Sequence, residues 1–509
     1  LSIHIETFIY RKEQINDMAG VGFELKKLFR ARTVAGYLKA YSFSVLITTG
    51  PFILLTGMVL AVQLLFLLFH VLPRENDLFV ASAVYAFIFS QIISSGFTKV
   101  VTRYLADCIS LDRYEDVTAS CFGLTAILLG IGSTVAAVFF WYSPLGILEK
   151  LSAYLFFALL LVIEAESLYL TALKKFKALL GVFAFGVSLS VCSVYLLLHL
   201  AVTQASVAAL FGVDAGLAVM ASLFLSQIIR FFGMPHGGRH FAFLPYFDRD
   251  WRLFVYAVMF SGGVFLPNIV TWMSSDWGKT VVGTYRYAPL YDIVTFYAFL
   301  SILPLMVIFV VYMETRFYET YANYFQAITR QGNFRDIETT RKTMIHTLWF
   351  ELRSAMEFQF LVTMVFLACG SYILSWAHIE NKAVNMFDVL LMAAYLIGVF
   401  QILGIILEYF DAQRQLLRIS VAFFLINGIL NILGLVYVGE NVYGFTFFIA
   451  AAISLGYAWQ QIVYYVNRIN YYVFCGQPMF YQQHVGWPTL LARRLYGPMV
   501  DCLGKEDDS

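Results

Sequence analysis

Long apolar stretches separated by shorter polar joins repeat along the whole chain. The first, residues 41–69, reads YSFSVLITTGPFILLTGMVLAVQLLFLLF and contains no charged residue. A helix needs about 20 consecutive apolar residues to cross the hydrocarbon core of a bilayer, so this stretch predicts a membrane-spanning helix. Twelve such stretches predict twelve spans, at residues 41–69, 78–101, 117–141, 151–173, 179–201, 211–233, 252–273, 288–312, 355–376, 386–408, 417–438 and 442–466.

The composition is that of a polytopic membrane protein. Hydrophobic residues make up 60% of the 509 residues and charged residues only 13%, a balance that excludes a soluble globular domain. Backbone groups in lipid must be hydrogen-bonded within the span, so stretches of this length predict an all-α fold. The six cysteines have neither metal-binding nor redox spacing, and we expect no metal site and no cofactor.

Lysine and arginine are distributed unevenly between the joins. The joins after spans 2, 4, 6, 8 and 10 carry 18 of these residues, whereas the odd-numbered joins carry 5. Basic residues concentrate in cytoplasmic loops, so the even-numbered joins and both termini are predicted to be cytoplasmic. The odd-numbered joins are too short to hold a domain outside the membrane.

Composition and spacing also divide the chain into segments. Val21, Leu25 and Leu28 repeat at helical spacing beside basic residues, which predicts an amphipathic helix on the inner leaflet. The predicted order is a non-native or mis-assigned extension (1–17), this cytoplasmic amphipathic helix (18–40), an N-terminal six-helix bundle (41–234), a cytoplasmic linker (235–251), a C-terminal six-helix bundle (252–466) with an amphipathic insert (313–351), and a cytoplasmic tail (467–509).

Glycine and proline interrupt the opening spans of both predicted bundles. Gly50 and Pro51 lie in YSFSVLITTGPFI, and Pro267 and Asn268 lie in YAVMFSGGVFLPNI of span 7. Proline removes a backbone donor and clashes with the preceding turn, so we expect both helices to kink or open there. Paired interruptions in corresponding helices point to a translocation site, and we expect all four residues to lie along the transport path, with both prolines at similar depth.

Acidic residues inside the predicted spans are candidates for the same path. Glu164 and Glu166 lie near the middle of span 4, and Asp292 lies about one turn inside span 8. An ionisable residue at this depth costs roughly 2.5 to 3.5 kcal/mol and normally faces a cavity or a partner. Glu164 and Glu166 project about 200° apart on a helix, so they cannot both face one cavity. One of them binds a cationic sugar, carries a coupling proton or forms a structural pair between helices; the sequence leaves these roles open.

Charged residues at the predicted cytoplasmic ends of spans are candidates for a gate. Arg103 and Asp107 are four residues apart on one helix face, and Arg230 and Glu314 close spans 6 and 8. Such residues also extend to the headgroups without any gating role. The insert at 313–351 mixes aromatic and charged residues, and it is equally consistent with a docking face for a cytosolic partner and with a connector on the headgroups.

Several motifs resemble a known family. MAGVGFELKKLF at 18–29, TTGPFIL in span 1 and YDIVTFYAFLSILPLMVIFVVYMETRFYETYANYFQAI at 291–328 resemble the inner-membrane exporters of the Pel exopolysaccharide system, the PelG family. The resemblance implies the multidrug/oligosaccharidyl-lipid/polysaccharide (MOP) exporter superfamily, with two MATE-like six-helix bundles around a central cavity and alternating access.

The resemblance also implies a substrate and partners. The expected substrate is a partly cationic amino-sugar polymer moved out of the cytoplasm. The expected partners are a cytosolic glycosyltransferase and the other inner-membrane components of the synthase complex, in the lipid bilayer of a bacterial inner membrane and without nucleic acid. Two alternatives remain, a non-transporting scaffold that activates a synthase and a flippase for drugs or lipid-linked oligosaccharides. An enzyme is disfavoured because the short outer joins offer few catalytic groups.

Overall fold

The structure, a computed structural model, describes residues 34–172, 176–201, 203–234, 238–274, 277–329, 332–376, 382–439, 444–475 and 485–497. The predicted extension at 1–17 and residues 18–33 of the predicted amphipathic helix lie outside these ranges. Within them, twelve helices are long and apolar enough to cross a membrane, which confirms the predicted number of spans and the all-α class.

In chain order the elements are α1 (Val34–Leu68), α2 (Pro73–Ser110), α3 (Tyr114–Trp141), α4 (Ile147–Ala172), α5 (Phe176–Leu200), α6 (Ala205–Phe232), α7 (Leu244–Arg249), α8 (Trp251–Met273), β1 (Lys279–Val282), β2 (Tyr285–Tyr287), α9 (Pro289–Leu300), α10 (Leu303–Tyr312), a π-helical turn (Met313–Phe317), α11 (Tyr318–Thr329), α12 (Phe334–Trp376), α13 (Lys382–Tyr409), α14 (Gln413–Tyr437), α15 (Phe445–Asn467), α16 (Ile469–Phe474) and α17 (Trp487–Tyr496). The run from α9 to α11 forms the eighth span, and α7, α16 and α17 are too short to cross.

The chain forms two compact units whose boundaries fall inside helices. The N unit contains Phe52–Phe265, the hairpin Lys279–Tyr287 and α17, and the C unit contains the described residues from Val34 to Pro51, Leu266–Gly278 and those from Ala288 through α16. The boundaries fall beside Pro51 of α1 and Pro267 of α8. The predicted division into bundles at 41–234 and 252–466 stays a prediction.

The N unit is held together by close helix crossings. Gly216 of α6 lies so near α5 that an added Cβ would be 2.1 Å from the Ser190 hydroxyl, and one on Gly212 would be 2.7 Å from Val194. The Ser190 hydroxyl also donates to the Val213 carbonyl at 3.2 Å. Lipid provides no hydrophobic driving force between membrane helices, so the helices associate by packing where small residues let their backbones approach closely. The glycines of α6 allow this close crossing with α5.

Two distant segments complete the N unit. The β1–β2 hairpin lies on α2, where the Tyr85 hydroxyl donates to the Arg286 carbonyl at 2.8 Å and Tyr287 donates to Asp77. Helix α17 lies on α7, because Asp248 accepts hydrogen bonds from the Thr489 backbone at 2.8 Å and from its hydroxyl. A side-chain acceptor of this kind satisfies the free amides at the start of a helix.

An interruption that the sequence did not predict lies in the eighth span. Both α1 and α8 are continuous helices through Pro51 and Pro267, so neither helix opens there. Instead the eighth span breaks between α9 and α10, and it changes to a π-helical turn before α11. Gln359 of α12, which is fully buried, donates to the Ser301 carbonyl at 2.8 Å and satisfies the broken backbone.

We expect the hairpin and the start of α12 to lie on opposite sides of the membrane, as the distribution of basic residues predicts. In a cysteine-free chain, Thr280→Cys should react with an impermeant maleimide in intact cells, whereas Thr339→Cys should react only after permeabilisation. Both residues are exposed, so accessibility is matched. Labelling of Thr339→Cys in intact cells, with Thr280→Cys protected, would invert the predicted topology.

Candidate functional site

A polar cluster surrounds Glu164 inside the N unit. Its carboxylate accepts hydrogen bonds from three residues of α2: Ser90 at 2.8 Å, Gln91 at 3.0 Å and Ser94. Ser90 and Ser94 are buried and Gln91 is exposed, so the cluster has one open side. We call these four residues the Glu164 cluster. Among the described residues, the partners of the Glu164 carboxylate are these three neutral hydrogen-bond donors, and no cationic side chain pairs with it.

Glu166 lies in a different environment from Glu164. It is 4% exposed, and its Oε2 atom has no hydrogen-bond partner among the described residues. The helical spacing predicted that these two carboxylates would have different surroundings. The sequence alone did not indicate which of them faces polar neighbours, because the donors lie 70 to 74 residues earlier in the chain.

A second cluster joins Asp292 and Asn268 in the C unit. The Asp292 carboxylate accepts a hydrogen bond from the Asn268 side chain at 2.7 Å and from the Trp272 indole at 2.9 Å. It also accepts from the Ala288 backbone at 3.1 Å, just before α9 begins. The two residues predicted separately along the transport path are therefore direct partners, and they fix the start of α9 against α8. Their role in transport stays a prediction.

The gate candidates lie at helix ends with different partners. Asp107 accepts a hydrogen bond from the Tyr246 hydroxyl at 2.6 Å, and its carboxylate is 3.8 Å from Arg249, both residues of α7. Arg103 is half-buried one turn earlier on α2, and Arg230 is exposed at the end of α6. The Glu314 side chain lies outside the described part of the structure. Gating by these residues stays a prediction.

The glycine and proline candidates are partly enclosed within their own units. Gly50 is buried and Pro51 is half-buried on α1, and Pro267 is buried on α8. The Thr271 hydroxyl donates to the Pro267 carbonyl at 2.7 Å. Whether these residues line the transport path stays a prediction.

One buried acid was not predicted. Asp214 of α6 is 5% exposed, and neither carboxylate oxygen has a hydrogen-bond partner among the described residues. Its signal was present in the sequence, since LFGVDAGLAVM places an acid just inside the sixth predicted span. In the described ranges, no three His, Cys, Asp or Glu side chains are grouped to hold a metal ion.

We predict that Asp292 is a structural anchor. Asp292→Ala removes the acceptor for Asn268, Trp272 and the Ala288 amide, and each buried donor left without a partner costs about 1–3 kcal/mol. Thermal unfolding of the purified protein should occur at a clearly lower temperature for Asp292→Ala than for Asp292→Asn, which keeps one carbonyl acceptor. Asp336→Ala, which removes an exposed acid of α12, is the control. Equal stability of Asp292→Ala and the wild type would contradict an anchoring role.

Comparison with known proteins places the chain in a family. A family model described as "PelG: Putative exopolysaccharide Exporter (EPS-E)" matches residues 18–474. A search of curated proteins gives no significant match.

Solved structures of transporters are similar in fold. One is an outward-facing multidrug resistance MATE family transporter of the MOP superfamily, with 12% identity and a TM-score of 0.55 over 84% of this chain and 96% of that chain. Another is the Vibrio cholerae MATE transporter VcmN in the bent form, with 11% identity and a TM-score of 0.55 over 89% of this chain and 99% of that chain. A third is the lipid II flippase MurJ in an inward closed conformation, with 13% identity and a TM-score of 0.50 over 90% of this chain and 98% of that chain.

The solved structures establish the fold, and the family model covers most of the chain. Both agree with the twelve spans and with the resemblance of the motifs in spans 1 and 8. The chain therefore belongs to the PelG family of exopolysaccharide exporters and is a multi-pass membrane transporter with the MOP superfamily fold.

Proposed function

We propose that the chain exports a Pel-type amino-sugar exopolysaccharide from the cytoplasm across a bacterial inner membrane. The observation that carries this proposal is the Glu164 cluster, a carboxylate within a span whose partners among the described residues are neutral donors. An ionisable group at this depth is costly, and such groups in membrane spans mark substrate, ion or proton pathways. A protonated amino sugar and a proton are both cations that this carboxylate can bind.

We also propose that a cytosolic glycosyltransferase docks on the start of α12. This helix has 43 residues, about 64 Å at 1.5 Å per residue, whereas a span needs only about 20 residues. The N-terminal half of α12, which precedes the apolar stretch, is therefore long enough to extend beyond the bilayer. Six of its exposed residues recur every three or four positions along one side of the helix and form a stripe: Arg335, Thr339, Lys342, His346, Phe350 and Arg353. A basic stripe with one exposed aromatic ring fits an acidic protein surface.

The export proposal predicts different effects for two neighbouring acids. In a strain that lacks the native gene, the Glu164→Gln chain should secrete little polymer, because the carboxylate that binds the transported cation is lost. Glu166→Gln is the matched control and should secrete close to the wild-type amount, since Glu166 lies apart from the donors of α2. Polymer in the medium is measured together with the amount of chain in the membrane. Normal secretion by Glu164→Gln at normal abundance would reject the role of this cluster.

The same strain separates an exporter from a scaffold. Deletion of the chain should leave polymer inside the cytoplasm or arrest a synthase that is coupled to export. A Glu164→Gln chain that still binds the glycosyltransferase, and that permits synthesis without secretion, supports transport. If the Glu164→Gln chain still binds the glycosyltransferase and secretes the full amount of polymer, the result would support the scaffold alternative.

Charge reversal on α12 tests the docking face. Arg335→Glu together with Lys342→Glu should reduce co-purification of the glycosyltransferase, because two basic groups of the stripe become acidic. The matched control is Arg414→Glu with Arg418→Glu, which reverses two exposed basic residues on α14. Equal loss in both double variants would show a general charge effect, and no loss in either would contradict docking at the stripe.

A further inference from the structure

We propose that the Glu164 cluster is a proton-exchange site, in which Glu164 takes up and releases one proton in each transport cycle. The inference rests on the proposed export function and names the cation that this site serves. It depends on the hydrogen bonds around one carboxylate, which can be complete in both of its protonation states.

The ionised carboxylate has three donors. The Ser90 hydroxyl and the Gln91 amide reach one oxygen, at 2.8 and 3.0 Å, and the Ser94 hydroxyl reaches the other. All three donors are neutral and come from little more than one turn of α2. Hydrogen bonds to a charged acceptor are stronger than those between neutral groups, so this arrangement stabilises the anion without a cation.

The protonated carboxyl also has partners. Its O–H can donate to the Ser90 or Ser94 hydroxyl oxygen, because a hydroxyl group both donates and accepts. The displaced hydroxyl hydrogens have carbonyl acceptors in place, since Ser90 Oγ lies 3.1 Å from the Phe87 carbonyl and Ser94 Oγ lies 3.5 Å from the Gln91 carbonyl. Rotation of the two hydroxyls therefore satisfies either state without movement of a helix.

The geometry favours a proton over a metal ion. The two serine hydroxyls and the Gln91 amide touch the carboxylate directly, whereas a metal ion between them would have to push these atoms apart. The side chain of Gln91 is exposed, so the protein does not seal the cluster on that side. A bulky sugar would have to displace donors that are already bound.

Other titratable groups on α4 and on the helices packed against it do not contact the carboxylate. Among the described residues, Glu164 forms no hydrogen bond or ion pair with any of them. They include Tyr85, Lys99, Arg103, Tyr104, Asp107 and Cys108 of α2, Glu115, Asp116 and Cys121 of α3, Glu149, Lys150, Tyr154, Glu166 and Tyr169 of α4, Cys192, Tyr195 and His199 of α5, and Asp214 and Arg230 of α6. Cys121 lies within electrostatic range of Glu166 instead. Protonation of Glu164 is therefore governed by the α2 donors.

Infrared difference spectroscopy tests the site directly. The full chain in lipid nanodiscs is titrated with acid, and the C=O band of a protonated carboxyl group is followed. We expect a band in the wild type that Glu164→Gln removes and that the matched controls Glu166→Gln and Asp214→Asn retain. In Ser94→Ala the band should persist to a pH higher by about one to two units, because a donor to the ionised form is lost.

Several outcomes would overturn the proposal. The titration of Glu164→Gln could match that of the wild type, or Ser94→Ala could leave the titration unchanged. Loss of the band when sodium replaces potassium at constant pH would show that the site binds a metal ion. None of these measurements needs polymer. A negative result therefore rejects the proton site alone, and the export function is still tested separately by the secretion assay. Conversely, if Glu164→Gln removes the carboxyl band as expected and still secretes a normal amount of polymer, Glu164 exchanges a proton but takes no part in export.

Discussion

Water is scarce in a membrane interior, so a polar group there is costly unless it finds a partner within the chain. Most backbone groups meet this demand inside helices, and the exceptions show how strict it is. Where the eighth span breaks, the buried side chain of Gln359 bonds to the Ser301 carbonyl. Where α9 begins, Asp292 accepts from the Ala288 amide and from two side chains of α8. Where Glu164 lies in α4, one stretch of α2 supplies its donors. The polar clusters thus hold the spans together and also form the chemistry available for transport.

The sequence predicted those features that depend on local composition. Twelve apolar runs are enough to count the spans, because hydrocarbon thickness sets one minimum length for all of them. Helical geometry also separated Glu164 from Glu166, since two residues along one helix project in nearly opposite directions. Asp292 was recognised as an acid inside a predicted span, and Asn268 as part of the interruption of span 7. Their direct contact needed the structure, because the two residues are 24 positions apart with a hairpin between them.

Features that depend on distant partners were not predicted. Proline and glycine suggested kinks or openings in spans 1 and 7, and α1 and α8 remain helical there. The break in the eighth span was not predicted, and its Ser301 carbonyl is satisfied by a residue 58 positions later. Asp214 differs from these features, because its signal was local and visible in the sequence.

The N unit combines segments from distant parts of the sequence, and this affects the order in which the protein can assemble. Its hairpin is synthesised after α8, and α17 is the last described element of the chain. The six helices that enter the membrane first therefore complete their unit only after two later segments, the hairpin and α17, have docked on them. The N unit and the C unit are thus not made one after the other, because segments of both units alternate along the chain.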